Sequence, residues 1–157
     1  MTPFFYASHF FVTLSFSNPL MSSSHSILRS HQLRITDCRL AIIREFLDKN
    51  IALSHADLEE TLNNEFDRVT IYRTLKTFLE KDLIHKVLDD SGATKYAFCS
   101  HGEEAHVHNH EHVHFKCEKC EETTCLEDIS LPTISLPMGF EKKEMNLLVQ
   151  GICEKCH

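Results

Sequence analysis

The sequence predicts an α+β protein in which a winged helix-turn-helix domain precedes a small α+β domain with zinc knuckles. Three short segments with helical periodicity are followed by a β-hairpin pattern, which is the order of elements in a winged helix. Two CxxC pairs lie further along the chain, and a stretch rich in histidine separates the two regions. These features divide the chain into a leader (1–20), a winged-helix domain (21–100), a His-rich linker (101–112) and a metal-binding domain (113–157).

The composition is that of an ordinary globular chain, but the charge is unevenly distributed. The 157 residues are 42% hydrophobic and 25% charged, and the formal net charge of -7 argues against a broadly basic nucleic-acid binder. Residues 21–96 carry 11 basic and 12 acidic side chains, whereas residues 97–157 carry 5 and 11. Contact with nucleic acid is therefore expected from a local patch in the first part, while the acidic, His-rich and Cys-rich second part suits cations.

The first 20 residues are apolar, and the stretch 10–16 is similar to the hydrophobic region of a signal peptide. No Lys or Arg precedes that stretch, no clear cleavage site follows it, and it is too short to cross a bilayer. We interpret it as a disordered leader or an over-extended start, and a signal peptide is the less favoured alternative.

Seven cysteines fit either a secreted disulfide framework or a metal site in a reducing cytosol. The CxxC spacing favours the metal site, and free thiolate ligands are expected in the cytoplasm. We expect no membrane segment, because the apolar stretch is too short to cross a bilayer.

Three helices are predicted from Thr36 onward, each with a capping residue at its start. Thr36 caps the first, Ser54 with Asp57 forms a variant capping box for the second, and Asp67 caps the third. Apolar residues recur at helical spacing in all three: Leu40, Ile43 and Leu47, then Leu58 and Leu62, then Ile71, Leu75, Phe78 and Leu79. The strand patterns LIHKVL and TKYAFC then flank the turn-rich DDSGA, which predicts a β-hairpin.

The other face of the third predicted helix is polar and basic. In a winged helix this helix enters the major groove of DNA, and the hairpin lies over the backbone. Arginine and lysine bind phosphates or guanine edges, while threonine and tyrosine add hydrogen bonds or contact a thymine methyl. The predicted DNA-binding residues are Arg68, Thr70, Tyr72, Arg73 and Lys76. Taken alone, these residues are equally well explained as a solvated helix face, and the succession of three helices and a hairpin favours DNA.

The two CxxC pairs predict a structural zinc site. A tight CxxC turn lets both thiolates reach one ion, and two such turns complete a tetrahedral shell. The predicted ligands are Cys117, Cys120, Cys153 and Cys156. A thioredoxin-like redox pair would not need two CxxC motifs, and disulfides are the remaining alternative.

A second candidate site includes part of the run HVHNHEHVHFKC at 106–117. In a strand, histidines at alternate positions lie on one face, and neutral imidazole binds zinc, copper, nickel and iron. His112 and His114 share such a face, Cys99 ends the second hairpin strand, and His85 lies on the first. Three imidazoles and one thiolate suit zinc and would join the wing to the second domain. The alternative is a loosely structured tract that scavenges metal.

The segments LRITDCRLAIIREFL and RVTIYRTLKTFLEKDLI, the HxH before the first CxxC, and the closing GICEKC resemble the ferric uptake regulator (Fur) superfamily. The likeness spans about residues 30–156 and is greatest to the zinc uptake regulator (Zur) branch. It implies a dimeric metalloregulator whose winged helix binds operator DNA, whose C-terminal α+β domain dimerises, and whose interdomain metal sets the DNA-binding geometry. That branch tends to have a Cys right after the second wing strand, which is Cys99 here, and a ligand 14 residues earlier, which is His85.

The chain also departs from the superfamily pattern. The histidine that iron-type members carry before the second helix would fall near Ala52 and is missing. Val113 and Met145 occupy ligand positions of a further site seen in many members, so a third site is not expected. Cys125 stands at an acidic position of the pattern and has no assigned role, and the histidines within 101–110 are an addition.

These features predict a zinc-responsive transcriptional repressor of metal-uptake genes. It would act as a homodimer on double-stranded operator DNA, with one structural Zn²⁺ and one regulatory ion. The regulatory ion is expected to be Zn²⁺, and Fe²⁺ or Mn²⁺ is the alternative. The alternatives are an iron- or peroxide-responsive regulator of the same superfamily and, from a different class, a zinc-buffering or metal-delivery protein. An enzyme is not expected, because a zinc hydrolase needs an open coordination position and the predicted sites are filled by protein ligands.

Overall fold

The computed structural model describes residues 19–63, 65–98, 112–126, 129, 131–143 and 145–157. The first part contains four helices and a small sheet, and the second part a further sheet. The elements in chain order are α1 (Pro19–Ser30), α2 (Asp37–Lys49), β1 (Leu53–Ser54), α3 (His55–Thr61), α4 (Arg68–Glu80), β2 (Ile84–Val87), β3 (Lys95–Phe98), β4 (Val113–Cys117), β5 (Thr123–Leu126), β6 (Leu147–Gly151) and a short 3-10 helix (Glu154–Cys156).

Helices α2, α3 and α4 begin at the caps that the sequence predicts. The Thr36 hydroxyl accepts a hydrogen bond from the Arg39 N–H at 3.4 Å. In α3 the capping box is complete, because the Ser54 N–H donates to the Asp57 carboxylate at 2.7 Å and the Asp57 N–H donates to the Ser54 hydroxyl at 3.1 Å. Asp67 accepts from the Thr70 N–H at 3.0 Å at the start of α4. These bonds satisfy backbone donors that the first helical turn leaves without partners.

Helix α1 was not predicted, and it begins two residues before our boundary for the winged-helix domain. Residues 1–18 of the predicted leader lie outside the described residues. The helix is rich in serine, which has only moderate helix propensity. Its apolar residues are nevertheless arranged on one side of the helix, so a periodic signal was available in the sequence. Its stability comes from tertiary packing, because Leu28 is fully buried in the core against α2.

The main hydrophobic core lies among the helices of the first domain. The inner face of α4 packs against α2, and both contribute fully buried side chains. The core residues of these two helices are Leu40, Ile42, Ile43, Phe46, Ile71, Leu75 and Phe78. Because the inner face is fixed in this way, the opposite face of α4 must point away from the core.

The wing is a three-stranded antiparallel sheet in the order β1-β3-β2. The hairpin predicted from the sequence is formed by β2 and β3, with His85 opposite Ala97. Gly92 in the connecting turn has a φ of 75°, a left-handed conformation that glycine adopts without strain. The description of β3 ends at Phe98, so Cys99 lies outside the described residues.

The second sheet has the order β5-β4-β6. The strands predicted before each CxxC pair are β4 and β6, and they pair in parallel, whereas β5 was not predicted and pairs with β4 in antiparallel fashion. The described residues 131–143 of the connection to β6 contain neither helix nor strand, in agreement with their prolines. Residues 101–111 of the predicted His-rich linker lie outside the described residues. No helix in the described part of the chain is long and apolar enough to cross a membrane.

We expect Leu28→Ala to lower the free energy of unfolding by about 2–5 kcal/mol, because it leaves a cavity where α1 meets the core. The matched control is Arg29→Ala at the exposed neighbouring position, which should change that free energy by less than about 0.5 kcal/mol. Urea unfolding of the zinc-loaded protein at constant protein and zinc concentration measures both effects. Equal effects of the two substitutions would show that α1 does not pack on the core.

Candidate metal centres and DNA-facing helix

The four predicted knuckle cysteines come together at one end of the second sheet. Cys117 ends β4 and lies opposite Gly151 of β6, so the parallel pairing of these strands places the two CxxC turns side by side. The four sulfur atoms all lie within 4.8 Å of one another, and the Cys120 and Cys153 sulfurs are 3.9 Å apart. With a Zn–S distance of about 2.3 Å, tetrahedral geometry requires sulfurs about 3.8 Å apart. The cluster therefore fits a closed four-thiolate zinc site.

Backbone donors prepare this cluster for thiolates. Hydrogen bonds from backbone N–H groups of Cys120 and Cys153 lower the pKa of the Cys117 thiol to about 6. The Cys153 N–H donates to the Cys117 sulfur at 3.4 Å. The Cys153 side chain and then burial raise the pKa of Cys156 to about 12, because neighbouring thiols cannot all ionise without a compensating cation. A divalent ion supplies that compensation.

A second cluster lies between the wing and the second sheet. It consists of His85, His112, His114 and Cys125, whose candidate ligand atoms all lie within 4.8 Å of one another. The three histidines are buried and Cys125 is half-buried. The wing contributes His85 through β2, the second sheet contributes His114 and Cys125, and His112 immediately precedes β4.

Strand geometry explains how β4, the residue before it and β5 present these three side chains. His112 directly precedes β4 and lies two positions before His114, so in an extended chain the two side chains point to the same side. Cys125 is the direct cross-strand partner of His114 in the antiparallel pairing of β4 and β5, and cross-strand partners share a face. The wing strand β2 then brings His85 onto this face.

Hydrogen bonding alone does not account for the distances in this cluster. The Nε2 atom of His85 lies 3.1 Å from Nε2 of His112, 3.2 Å from Nε2 of His114 and 3.5 Å from the Cys125 sulfur. One imidazole nitrogen has either one proton or one lone pair, so it cannot serve three partners. Tetrahedral zinc with bonds of about 2.05 Å to nitrogen and 2.3 Å to sulfur requires separations of about 3.3 Å and 3.6 Å. The four atoms therefore surround a point where a metal ion fits.

The surroundings of His114 favour its neutral form, which is the form that binds metals. Burial, and then the charge of His112, lower the pKa of His114 to about 4. His114 is therefore neutral at physiological pH.

The structure brings together three of the four ligands predicted for this second site, namely His85, His112 and His114. The predicted fourth ligand, Cys99, lies outside the described residues. Cys125 was not predicted as a ligand. Its position could have been found only from the register between β4 and β5, because residue spacing alone does not reveal a cross-strand partner.

The outer face of α4 carries the predicted DNA-binding residues. Arg68, Tyr72, Arg73 and Lys76 are exposed. Thr70 is half-buried, and its hydroxyl donates to the capping carboxylate of Asp67 at 2.6 Å.

One further side chain on this face escaped the sequence analysis. Val69 is 54% exposed and lies three positions before Tyr72, which is 58% exposed, so the two are neighbours on the helix surface. Exposed apolar and aromatic groups beside basic ones suit base edges and thymine methyls. The i, i+3 spacing of Val69 and Tyr72 was the available signal.

Comparison with known proteins supports both the fold and the family. The zinc uptake regulation protein of Escherichia coli (strain K12) is 25% identical over 144 residues, which cover 87% of this chain and 81% of that protein. The ferric uptake regulation protein of Staphylococcus aureus (strain Mu50 / ATCC 700699) is 26% identical over 134 residues, which cover 83% of this chain and 93% of that protein.

Solved structures share the fold. A zinc uptake regulator complexed with zinc and DNA has a TM-score of 0.61 and 23% identity, with 88% of this chain and 93% of that chain covered. A holo zinc uptake regulator also has a TM-score of 0.61, with 21% identity and coverage of 86% and 96%. The predicted α+β architecture, a winged helix followed by a small α+β domain, is confirmed. The sequence pattern of the ferric uptake regulator family matches residues 30–148, which is most of the chain. The protein is therefore a member of the ferric uptake regulator family.

Proposed function

We propose that this protein represses transcription of metal-uptake genes when zinc binds between its two domains. Regulators of its family are metal-responsive DNA-binding repressors rather than enzymes. The observation that favours zinc is the composition of the second cluster. Three imidazole nitrogens and one thiol sulfur lie within 4.8 Å of one another there. Nitrogen and sulfur ligands in a tetrahedral arrangement suit zinc, whereas iron(II) and manganese(II) sites use more oxygen ligands and open positions.

The cysteine cluster is proposed to hold the structural zinc. The second domain has little apolar core of its own, since Val113 and Cys117 are its only fully buried hydrophobic residues among those described. A small domain with so little buried apolar surface usually needs a metal or another cross-link to fold. All four thiolates are used, so the site is closed and has no position for a substrate. This supports a structural role and no enzymatic one.

The second cluster, which we call the His-Cys cluster, consists of His85, His112, His114 and Cys125. It is proposed to hold the regulatory zinc. His85 belongs to the wing, and the other ligands lie on the second sheet or directly before it, so an ion bound there would favour one relative position of the two domains. Zinc shifts the protein toward the DNA-binding arrangement only by binding that arrangement more tightly. Cys125 supplies the thiolate in this proposal, and Cys99, the ligand predicted from the sequence, is tested beside it.

The outer face of α4 is proposed to bind operator DNA in the major groove. Its first two turns combine exposed arginines with Val69 and Tyr72 and contain no acidic residue. In winged helices, residues at the start of the recognition helix contact base edges. A DNA-binding regulator acts where the genome is, which supports a cytoplasmic location in a bacterial cell.

The second domain is proposed to form a homodimer. Residues 134–140 expose apolar side chains at alternate positions, and such a patch on a folded domain marks an interaction surface. The exposed residues are Ile134, Leu136, Met138 and Phe140. A two-fold dimer would place two α4 helices on matching half-sites, so a palindromic operator is expected.

Other functions remain open to direct test. An iron- or peroxide-responsive regulator would respond to Fe²⁺ or Mn²⁺ better than to zinc at buffered free-metal concentrations. A zinc-buffering protein would bind zinc in both clusters but no DNA. The deciding experiment is selection of binding sites from random DNA by the zinc-loaded protein, followed by operator titration at buffered zinc. Absence of any zinc-dependent site would contradict the proposal.

The first prediction concerns the structural zinc. We expect Cys117→Ser to lose that zinc and to unfold or dissociate the second domain, because the substitution removes one of four ligands from a domain with little core. Cys38→Ser is the matched control, since Cys38 is a buried thiol outside both clusters. Zinc content and sedimentation of the purified variants measure the result. A Cys117→Ser protein that stayed folded, dimeric and fully loaded would refute this assignment.

The second prediction concerns DNA contact. Arg73→Ala and Tyr72→Phe should weaken operator binding without changing zinc content, and loss of an arginine that contacts a base should cost roughly 1–3 kcal/mol. Lys143→Ala removes a positive charge from an exposed position of the second domain and should have little effect. Fluorescence anisotropy with labelled operator compares the variants at one salt concentration. If the α4 variants bind as the wild type does, α4 does not read the operator.

The third prediction concerns the regulatory zinc. His112→Ala and Cys125→Ala should keep the structural zinc, the fold and the dimer, yet lose zinc-stimulated operator binding, because each removes a ligand from the His-Cys cluster. In the wild type, zinc is expected to raise operator affinity about 5- to 150-fold, the range for a typical coupling free energy. Cys99→Ala tests the ligand predicted from the sequence. Retained stimulation in that variant would assign the thiolate to Cys125, and loss in Cys99→Ala but not in Cys125→Ala would assign it to Cys99.

A further inference from the structure

The turn between β2 and β3 carries two adjacent carboxylates near its start, Asp89 and Asp90, and both contact the second sheet. The side chain of Asp89 has no exposed surface, and its carboxylate accepts hydrogen bonds from Lys95 at 2.9 Å, Thr123 at 3.0 Å and the Ser91 N–H at 2.9 Å. Burial by itself raises the pKa of Asp89, but the bonds from Lys95, Ser91 and Thr123 outweigh it and hold the pKa well below its usual range. These hydrogen bonds stabilise the buried carboxylate, because a buried carboxylate without partners would be strongly unfavourable.

Asp90 reaches the other two strands of the same sheet. Its carboxylate forms an ion pair with Lys116 of β4 and accepts a hydrogen bond from the Gln150 side chain of β6 at 3.0 Å. Thr123, the partner of Asp89, begins β5. The two aspartates therefore contact all three strands of the second sheet, and we call this set of contacts the wing-tip clasp.

The clasp and the His-Cys cluster join the same strands at two places. Strand β2 carries His85 and leads directly into Asp89, while β5 carries both Thr123 and Cys125. A backbone bond at 2.7 Å from the Ala52 N–H to the Thr123 carbonyl reinforces this junction. Any movement that separated His85 from Cys125 would therefore also strain the contacts of Asp89.

The charge of the wing tip makes it a poor contact for DNA. Two adjacent carboxylates would be repelled by backbone phosphates, and both already have a partner on the second sheet, Thr123 for Asp89 and Lys116 for Asp90. The expectation that the hairpin lies over the DNA backbone therefore does not extend to its tip.

We propose that the wing-tip clasp is a metal-independent coupling element that holds the wing on the second sheet and thereby presets the regulatory zinc site. The inference rests on the proposed function of the His-Cys cluster, and it assigns positioning roles to Asp89, Asp90 and Thr123. Contacts that need no metal already favour the docked arrangement, so the ion does not have to bring the domains together unaided. Zinc then binds a largely preformed site at lower free concentration.

The test measures free zinc at half-maximal operator binding for the full-length dimer. Asp89→Asn keeps the shape of the side chain and removes its charge, and Thr123→Val removes only the donating hydroxyl. Each should raise the zinc midpoint about fivefold to tenfold, the change expected when one hydrogen bond of ordinary net strength is lost, while operator affinity at saturating zinc is retained. Asp48→Asn is the matched control, because it removes the same charge from an exposed position near the end of α2.

A double-mutant cycle separates a shared contact from general loss of stability. Because Asp89 and Thr123 bind each other, Asp89→Asn with Thr123→Val should shift the midpoint little more than either single change. Fully additive shifts, or midpoints equal to that of the wild type in folded variants, would overturn the proposal. Tighter operator binding by Asp89→Asn at every zinc concentration would also overturn it, because that result places the wing tip on the DNA phosphates.

Zinc affinity without DNA keeps this inference distinct from the proposed function. A chelator competition on protein that already holds its structural zinc reports the second site alone. If the wild type binds zinc there but no operator, the proposed repressor function fails, and weaker zinc binding by Asp89→Asn still supports the clasp. If the wild type responds to zinc on its operator but Asp89→Asn has unchanged zinc affinity, the clasp fails and the repressor function stands.

Discussion

The convergence of three buried histidines and one cysteine on one point is the constraint on which the arrangement of the two sheets depends. The Nε2 atom of His85 cannot hydrogen-bond to His112, His114 and Cys125 at the same time, and burial lowers the pKa of His114 to about 4. A cation at the centre of the cluster would bind all four ligand atoms together. In the proposed function, the relative position of the wing and the second sheet would therefore depend on metal occupancy, as a metal-responsive regulator of DNA binding requires.

The helical part of the fold could be predicted from the sequence because its signals are local. Caps such as Ser54 with Asp57, and apolar residues at helical spacing, act within a few positions and appear in the structure where expected. The two CxxC pairs are also local, since each turn presents both of its sulfurs without help from elsewhere. By contrast, α1 was missed because its segment is rich in serine, which has only moderate helix propensity, although its apolar residues share one side and Leu28 is buried against another helix.

The regulatory cluster was only partly predictable, for a reason that lies in strand pairing. Alternation within one strand identifies His112 and His114 as neighbours, and the wing hairpin supplies His85. The place of Cys125 depends on which residue of β5 lies opposite His114, and a shift of one position would turn its sulfur to the other face. The partners of Asp89 and Asp90 depend in the same way on the docking of two sheets. The pairing register between strands that are distant in sequence cannot be predicted from residue types alone. Contacts that depend on this register are therefore seen only in the structure.

The wing contacts the second sheet in two ways, through the wing-tip clasp and through the His-Cys cluster. Together, these contacts would determine how the protein responds to zinc. Carboxylate contacts that need no metal can hold the wing near its docked position, and the His-Cys cluster can add a differential affinity for zinc on top of them. If the clasp were too strong, the domains would stay docked without zinc and the protein would bind DNA permanently. If it were too weak, zinc would have to supply the whole ordering free energy, and the response would begin only at high zinc. In the proposed arrangement, the hydrogen bonds of Asp89 and Asp90 would set the zinc concentration at which the cluster begins to act, while its ligand atoms would set which metal it accepts.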